Sequence, residues 1–317
     1  MRSFYIITAL TALVFTSPAL SQQCNGHSEL CSRPYHQVAF PGTHNSFSAV
    51  KNNPAANQFF PVATQLNDEN AGTAVDTLKI IADFMKANPN EVITIIWENY
   101  DKIDVNSYAA AYQQAGLDKF AYTQPSGQQQ WPTLSELISK GTTLINFIDN
   151  GASPSVPWLH DEFTYVIDTP FSNNDPNNWQ CVVDRPPGAS PSSISLYNVN
   201  HFLYGNLGES NIETPQPGSA SSTNGPNLEQ HAQQCTKAFG RIPNFVSVDF
   251  YDQGSNNVNI FSVVAELNNV TYTPKPLGDT SYNGNQTTTA NASLQKGSGL
   301  YMMTSGLLFV ALVMVGL

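Results

Sequence analysis

The apolar residues of this chain gather into short unbroken runs and longer periodic ones. Six short runs, 37–40, 91–97, 142–149, 163–168, 195–200 and 244–251, are predicted strands, and 91–97, apolar through its middle instead of alternating, reads as a strand buried on both faces. Between and after them, 72–87, 106–116, 133–140, 227–239 and 258–267 repeat apolar residues at helical spacing. In the first of these, Val75, Leu78, Ile81, Ala82 and Met85 share one face. Trp131-Pro132 ahead of 133–140 and Gly141 behind it mark a helix start and stop. A further helical segment, 62–68, meets 72–87 with no strand between them. Strand–helix alternation of this kind predicts a parallel sheet in an α/β domain. Long loops rich in Pro, Ser, Asn and Gly, 150–162, 169–193 and 205–226, follow strand ends, where a barrel enzyme keeps its chemistry.

The two ends of the chain depart from this alternation. Met1-Arg2, the apolar run 4–15 and Ala19-Leu20-Ser21 read as a secretory signal over 1–21. Residues 300–317 are largely apolar to the last residue and follow a Ser/Thr/Asn/Gly-rich stretch, 277–299, that contains the small triplet Asn291-Ala292-Ser293. That order is the signal for a GPI anchor attached at Asn291, with a plain tail anchor as the alternative. The expectation is a domain over 22–276 carried through the secretory pathway and held at the plasma membrane or cell wall. Asn269 and Asn285 open sequons for N-glycosylation. Four cysteines suit an oxidising compartment, and the most economical of three pairings joins Cys24 to Cys31 and Cys181 to Cys235.

Composition narrows the partners. The 317 residues, 41% hydrophobic, are enough for one large domain with a self-sufficient core. There are 24 acidic against 13 basic residues, a net charge of −11, and no basic cluster. Nucleic acid and electrostatic docking on an anionic membrane are therefore excluded, and a monomer is expected. What remains is a set of polar residues just past the strands: His44, Asn45, Glu98, Asn99, Asp149, Asp168, Asn200, His201, Asp249 and Asp252. Histidine, asparagine and carboxylates at one mouth suit acid–base catalysis or a hard oxygen-liganded cation such as calcium. Glu98 and Asp149 alone would suit the carboxylate pair of a barrel glycosidase.

The motif Phe40-Pro41-Gly42-Thr43-His44-Asn45-Ser46 resembles the first strand of the phosphatidylinositol-specific phospholipase C-like phosphodiesterases. The stretch from Asn88-Pro89-Asn90 to Trp97-Glu98-Asn99, and Val246-Ser247-Val248-Asp249-Phe250-Tyr251-Asp252, resemble two later strands of that superfamily. The likeness covers about 24–267 and is greatest to the secreted, often GPI-anchored subgroup typical of fungi. It implies a TIM-type (β/α) barrel and a phospholipid or inositol-phosphate diester as substrate. It also implies two histidines as base and acid, and an arginine that stabilises charge on phosphorus. By motif position His44 is the base, Asp249 its orienting carboxylate, and Asn45 and Glu98 the calcium ligands. His201 and Asp149, on the same rim, are the substrate-binding candidates. The family places its arginine on a second strand and its other histidine on a third. Here the chain passes from Asp68 to Ala71 through Glu69-Asn70 alone, and no arginine occurs between Arg33 and Arg185. The resemblance therefore implies a barrel lacking strands two and three, about six strands in all, either gapped or with the flanking strands paired. It leaves two functions open: a phosphodiesterase, or an anchored surface-binding protein on a decayed catalytic barrel.

Overall fold

The computed structural model describes residues 22–46, 74–206 and 213–274, and the pair 308–309. Six parallel strands appear where the apolar runs predict them: β1 (Phe40–Thr43), β2 (Ile93–Trp97), β3 (Leu144–Ile148), β5 (Val166–Asp168), β6 (Leu196–Asn200) and β9 (Phe245–Val248). A short strand that the pattern does not predict, β4 (Leu159–Asp161), pairs with β3 and leads through the helical turn Glu162–Tyr165 into β5. Two ribbons in the long loops, β7 (Tyr204–Asn206) with β8 (Glu213–Pro215) and β10 (Gly254–Ser255) with β11 (Val258–Asn259), are antiparallel.

Five helices follow the apolar periodicity: α1 (Ala74–Ala87), α2 (Val105–Ala115), α3 (Leu134–Lys140), α4 (Leu228–Phe239) and α5 (Ile260–Leu267). Their ends have local causes. Asp104 caps α2 by accepting from the Asn106 amide, and Thr133 with Glu136 forms a reciprocal capping box on α3. Gly116 and Gly141 end the same helices in the left-handed conformation, at φ of 69° and 67°.

The strands form two sheets, β1-β9-β6-β5 and β2-β3-β4, instead of one closed barrel. The two-residue strand β12 (Leu308–Phe309) pairs antiparallel with the outer edge of β2, and among the described residues β1 is hydrogen-bonded on one side only, to β9. Among the described residues β1 and β2 do not pair, and no closed barrel forms. Residues 47–73, where the expected loss of two strands and the predicted 62–68 helix fall, lie outside the described residues, as do the signal segment, Asn285 and Asn291.

Both sheets nevertheless enclose one interior. Phe40, Ile96, Ile145, Phe147, Val166, Leu196 and Phe245, from β1, β2, β3, β5, β6 and β9, pack in a single cluster. The intervening residues face the helices: Ile93, Ile95 and Trp97 meet α1 and α2, while Val246 and Val248 meet α4 and α5. Three asparagines brace the lower strand ends. The Asn25 amide exchanges two hydrogen bonds with the Val92 backbone, both at 3.0 Å, and Asn268 does the same with Ala39 at 2.9 and 2.8 Å. Asn244 accepts from the Tyr197 amide at 3.1 Å and donates to the Val38 carbonyl at 3.2 Å. The disulfides Cys24–Cys31 and Cys181–Cys235 are formed, as the economical pairing predicts. No helix among the described residues is long and apolar enough to cross a membrane.

Candidate active site

Strand alternation builds the site. Counting two residues at a time from the shared interior leads from Phe40 through Gly42 to His44, from Ile96 to Glu98, and from Phe147 to Asp149. It leads likewise from Val166 to Asp168, from Leu196 through Asn198 to Asn200, and from Phe245 through Ser247 to Asp249. Side chains of one parity share one face, so core apolar residues give way to polar groups at the carboxyl ends. A polar layer lies between them: Ser247 Oγ donates to Asn198 Oδ1 and Asn198 Nδ2 donates to Asn200 Oδ1, both at 2.8 Å.

His44 and Asp249 meet in that mouth. His44 Nδ1 lies 2.8 Å from Asp249 Oδ1, and each residue is 4% exposed. The carboxylate fixes the proton on Nδ1 and leaves the basic lone pair on Nε2. The imidazole stacks on Phe202 with ring centroids 3.7 Å apart, and its main-chain amide donates to the Val248 carbonyl. On the other side of the pair, Asn224 Nδ2 donates to the carbonyls of Asp249 and Phe250 at 2.7 and 2.9 Å, holding the turn at Phe250 in the left-handed region. Asn45, also left-handed at φ 47°, is 4% exposed, and its Oδ1 has no hydrogen-bond partner.

The remaining carboxyls converge on a residue that the motifs do not single out. Arg185, from the loop after β5, donates through Nη2 to Asp168 Oδ2 at 2.7 Å and lies 3.9 Å from Glu98 Oε1 through Nη1. Its guanidinium sits 4.6 Å from the Phe171 ring centroid and 5.6 Å from that of Phe163. Although burial opposes its charge, Asp168, Glu162 and Glu98 outweigh that and hold it protonated. Burial raises the pKa of Glu98, with His44 and Arg185 opposing the rise. Asp149 and Asp168 are raised for the same first reason, and Glu162, buried beside Asp168, is held well above the carboxylate range. Asp149 also braces the rim, where its Oδ1 accepts the Asn99 amide at 2.7 Å.

His201 does not join this mouth. It follows the inward Asn200, so its parity turns it outward against α4. There it is fully buried beneath Trp179, with ring centroids 3.9 Å apart. Nε2 donates to the Thr223 carbonyl at 2.9 Å, which leaves Nδ1 to accept from His231 Nδ1 at 2.9 Å. Both nitrogens are therefore engaged away from the rim, and burial holds both rings neutral, His231 at about 4.

Of the two positions whose motifs imply calcium, Asn45 keeps a buried Oδ1 without a hydrogen-bond partner, while Glu98 Oε1 faces the Arg185 guanidinium at 3.9 Å. Among the described residues, no group of three convergent carboxylate, imidazole or sulfur ligand atoms forms at the mouth; the one such group is Cys181, His231 and Cys235, whose cysteines are disulfide-bonded.

The parallel β/α architecture agrees with comparisons to known proteins. The sequence profile described as PI-PLC X 1 matches residues 68–264. The chain belongs to the PI-PLC X family. It is 34% identical over 301 residues to an uncharacterized secreted protein of Arthroderma benhamiae, covering 83% of this chain and 68% of that one. It is 32% identical over 264 residues to PI-PLC X domain-containing protein 1 of the same organism, covering 73% and 86%. A variant of the phosphatidylinositol-specific phospholipase C of Staphylococcus aureus shares the fold at a TM-score of 0.51 and 16% identity, covering 81% of this chain and all of that one. PI-PLC X membership accounts for the mixed α/β fold with its parallel sheets. Arg185 could have been found from sequence by one signal: it is the only lysine or arginine in the three long loops 150–162, 169–193 and 205–226.

Proposed function

We propose that this PI-PLC X protein is a phosphoric diester hydrolase acting on a phosphoinositide or inositol-phosphate diester. The observation that carries the reading is the buried 2.8 Å pair of His44 and Asp249 at the strand ends. His44 Nε2 takes the proton of the inositol 2-hydroxyl as its oxygen bonds to phosphorus. The P–O bond to the leaving alcohol breaks, and that oxygen takes its proton from water. A cyclic inositol phosphate and a free alcohol result, and the hydroxide so formed takes the proton from His44 and restores it. No step runs through a metal. The reading includes secretion, N-glycosylation at exposed Asn269 and anchoring through residues 291–317.

The test is release of cyclic inositol phosphate from phosphatidylinositol vesicles. His44→Ala is expected to lower kcat by about 10²–10⁴-fold, and Asp249→Asn by a smaller factor. Release untouched by His44→Ala, or none from the unaltered protein, sinks the proposal. Binding of the vesicles without turnover would make the protein a surface-binding module instead.

A further inference from the structure

Breaking a phosphodiester needs positive charge where the phosphoryl oxygens gain negative charge. The mouth around His44 is otherwise rich in carboxyls, so what supplies that charge is a definite structural question. Of the three arginines among the described residues, Arg33 precedes β1 and Arg241 precedes β9, whereas Arg185 lies in the loop that follows the end of β5. Arg241 is engaged at the opposite strand ends, donating to the carbonyls of Pro191, Ile194 and Ser195.

The geometry points to Arg185 as the residue that binds the phosphate of the substrate, in place of a divalent cation. This inference rests on the phosphodiesterase reading and goes beyond it.

Three ties hold the residue at the rim. Asp168 and Arg185 form an antiparallel bridge, in which the Asp168 amide donates to the Arg185 carbonyl at 2.8 Å and the Asp184 amide donates to the Asp168 carbonyl at 2.8 Å. Cys181, four residues upstream, is bonded to Cys235 on α4. The two phenylalanines fix the plane of the guanidinium. That fork carries five N–H donors. One is spent on Asp168, the other Nη lies beyond hydrogen-bond length from Glu98 and is free to turn to an anion, and Nε–H is buried without a hydrogen-bond partner. The side chain keeps 23% of its surface in solvent while its buttress Asp168 keeps 1%. A cation that is held from behind and open in front is suited to accept a tetrahedral anion through two parallel donors. Arg185 Nη1 lies 3.9 Å from Glu98, which follows the carboxyl end of β2 as His44 follows that of β1, so one phosphate can face the cation and the base together.

Substitution at Arg185 tests this with two readouts. Titration with inositol 1-phosphate, in chelator, is expected to lose affinity tenfold or more in Arg185→Ala, with Arg185→Lys intermediate because a point charge lacks the fork. On phosphatidylinositol vesicles, Arg185→Ala is expected to lower kcat/KM by about 10²–10³-fold while chelator leaves the unaltered protein unchanged. Because Arg185→Ala strands a buried carboxylate, the double variant Asp168→Asn/Arg185→Ala serves as the folded control and is expected to show the same loss. Full affinity in that double variant, or activity that chelator abolishes and calcium restores, overturns the inference. If the unaltered protein binds inositol 1-phosphate but releases no product, the hydrolase reading fails, and the affinities still decide the role of Arg185.

Discussion

At the scale of single residues, the mouth of this protein is a contest between burial and charge. Four carboxyls, Glu98, Asp149, Glu162 and Asp168, are all pushed upward, and one guanidinium offsets them. Glu162 is the extreme case, 3% exposed and raised well above the carboxylate range by burial first and Asp168 second. A carboxyl raised in the folded state binds more protons there than in the unfolded chain, so it favours folding in acid and opposes it as pH climbs above its unfolded value. Glu162→Gln removes that penalty. The variant is expected to melt at a higher temperature than the unaltered protein at pH 8 and at nearly the same temperature at pH 4. An equal shift at both values, or a loss at pH 8, would show that Glu162 is ionised and paired in the fold.

At the scale of elements, the loop 169–193 does what no strand does. It leaves β5, is pinned by Cys181 to α4 and returns Arg185 to Asp168 before the chain enters β6. The Cys181–Cys235 link closes 54 residues and Cys24–Cys31 only seven. The chain-entropy estimate gives about 4 kcal/mol for the larger loop and about 2 kcal/mol for the smaller. Replacing each pair by serines should therefore separate them in denaturant titrations, the larger loop costing more. The Cys181/Cys235 pair should also weaken inositol 1-phosphate binding, because the arginine loop loses its tether. Equal costs, or unchanged binding, would count against the tethering role.

At the scale of the whole molecule, the architecture was legible where long runs spoke for themselves. The six strands and five helices follow from apolar continuity and 3.6-residue spacing, and the cysteine spacing foretold both disulfides. What escaped has physical reasons. β4 is three residues long and stands beside Pro157-Trp158, too short to show a period. Strands apolar on both faces hide which parity points inward, so His201 looks like a rim residue until Leu196 and Asn198 are seen on the inner face. Arg185 reaches the rim through a bridge, a disulfide and two rings, none of which has a local pattern. The proposed passage through the secretory pathway is checked on the expressed full chain. N-terminal sequencing should begin at Gln22, and deletion of residues 300–317 should move the protein from cell surface to medium. An intact Met1 or undiminished surface retention would refute it.

The brace between Asn25 and Val92 carries a chemical hazard of its own. Asn25 is followed by Gly26, the neighbour least able to shield a side-chain amide from attack by the next backbone nitrogen. Loss of ammonia there would turn a donor that now meets the Val92 carbonyl into an acceptor facing it, and would leave a new anion in a fully buried position. The same two hydrogen bonds that seat Val92, the residue before β2, thus make this turn the place where age would loosen the domain, from the end opposite its chemistry.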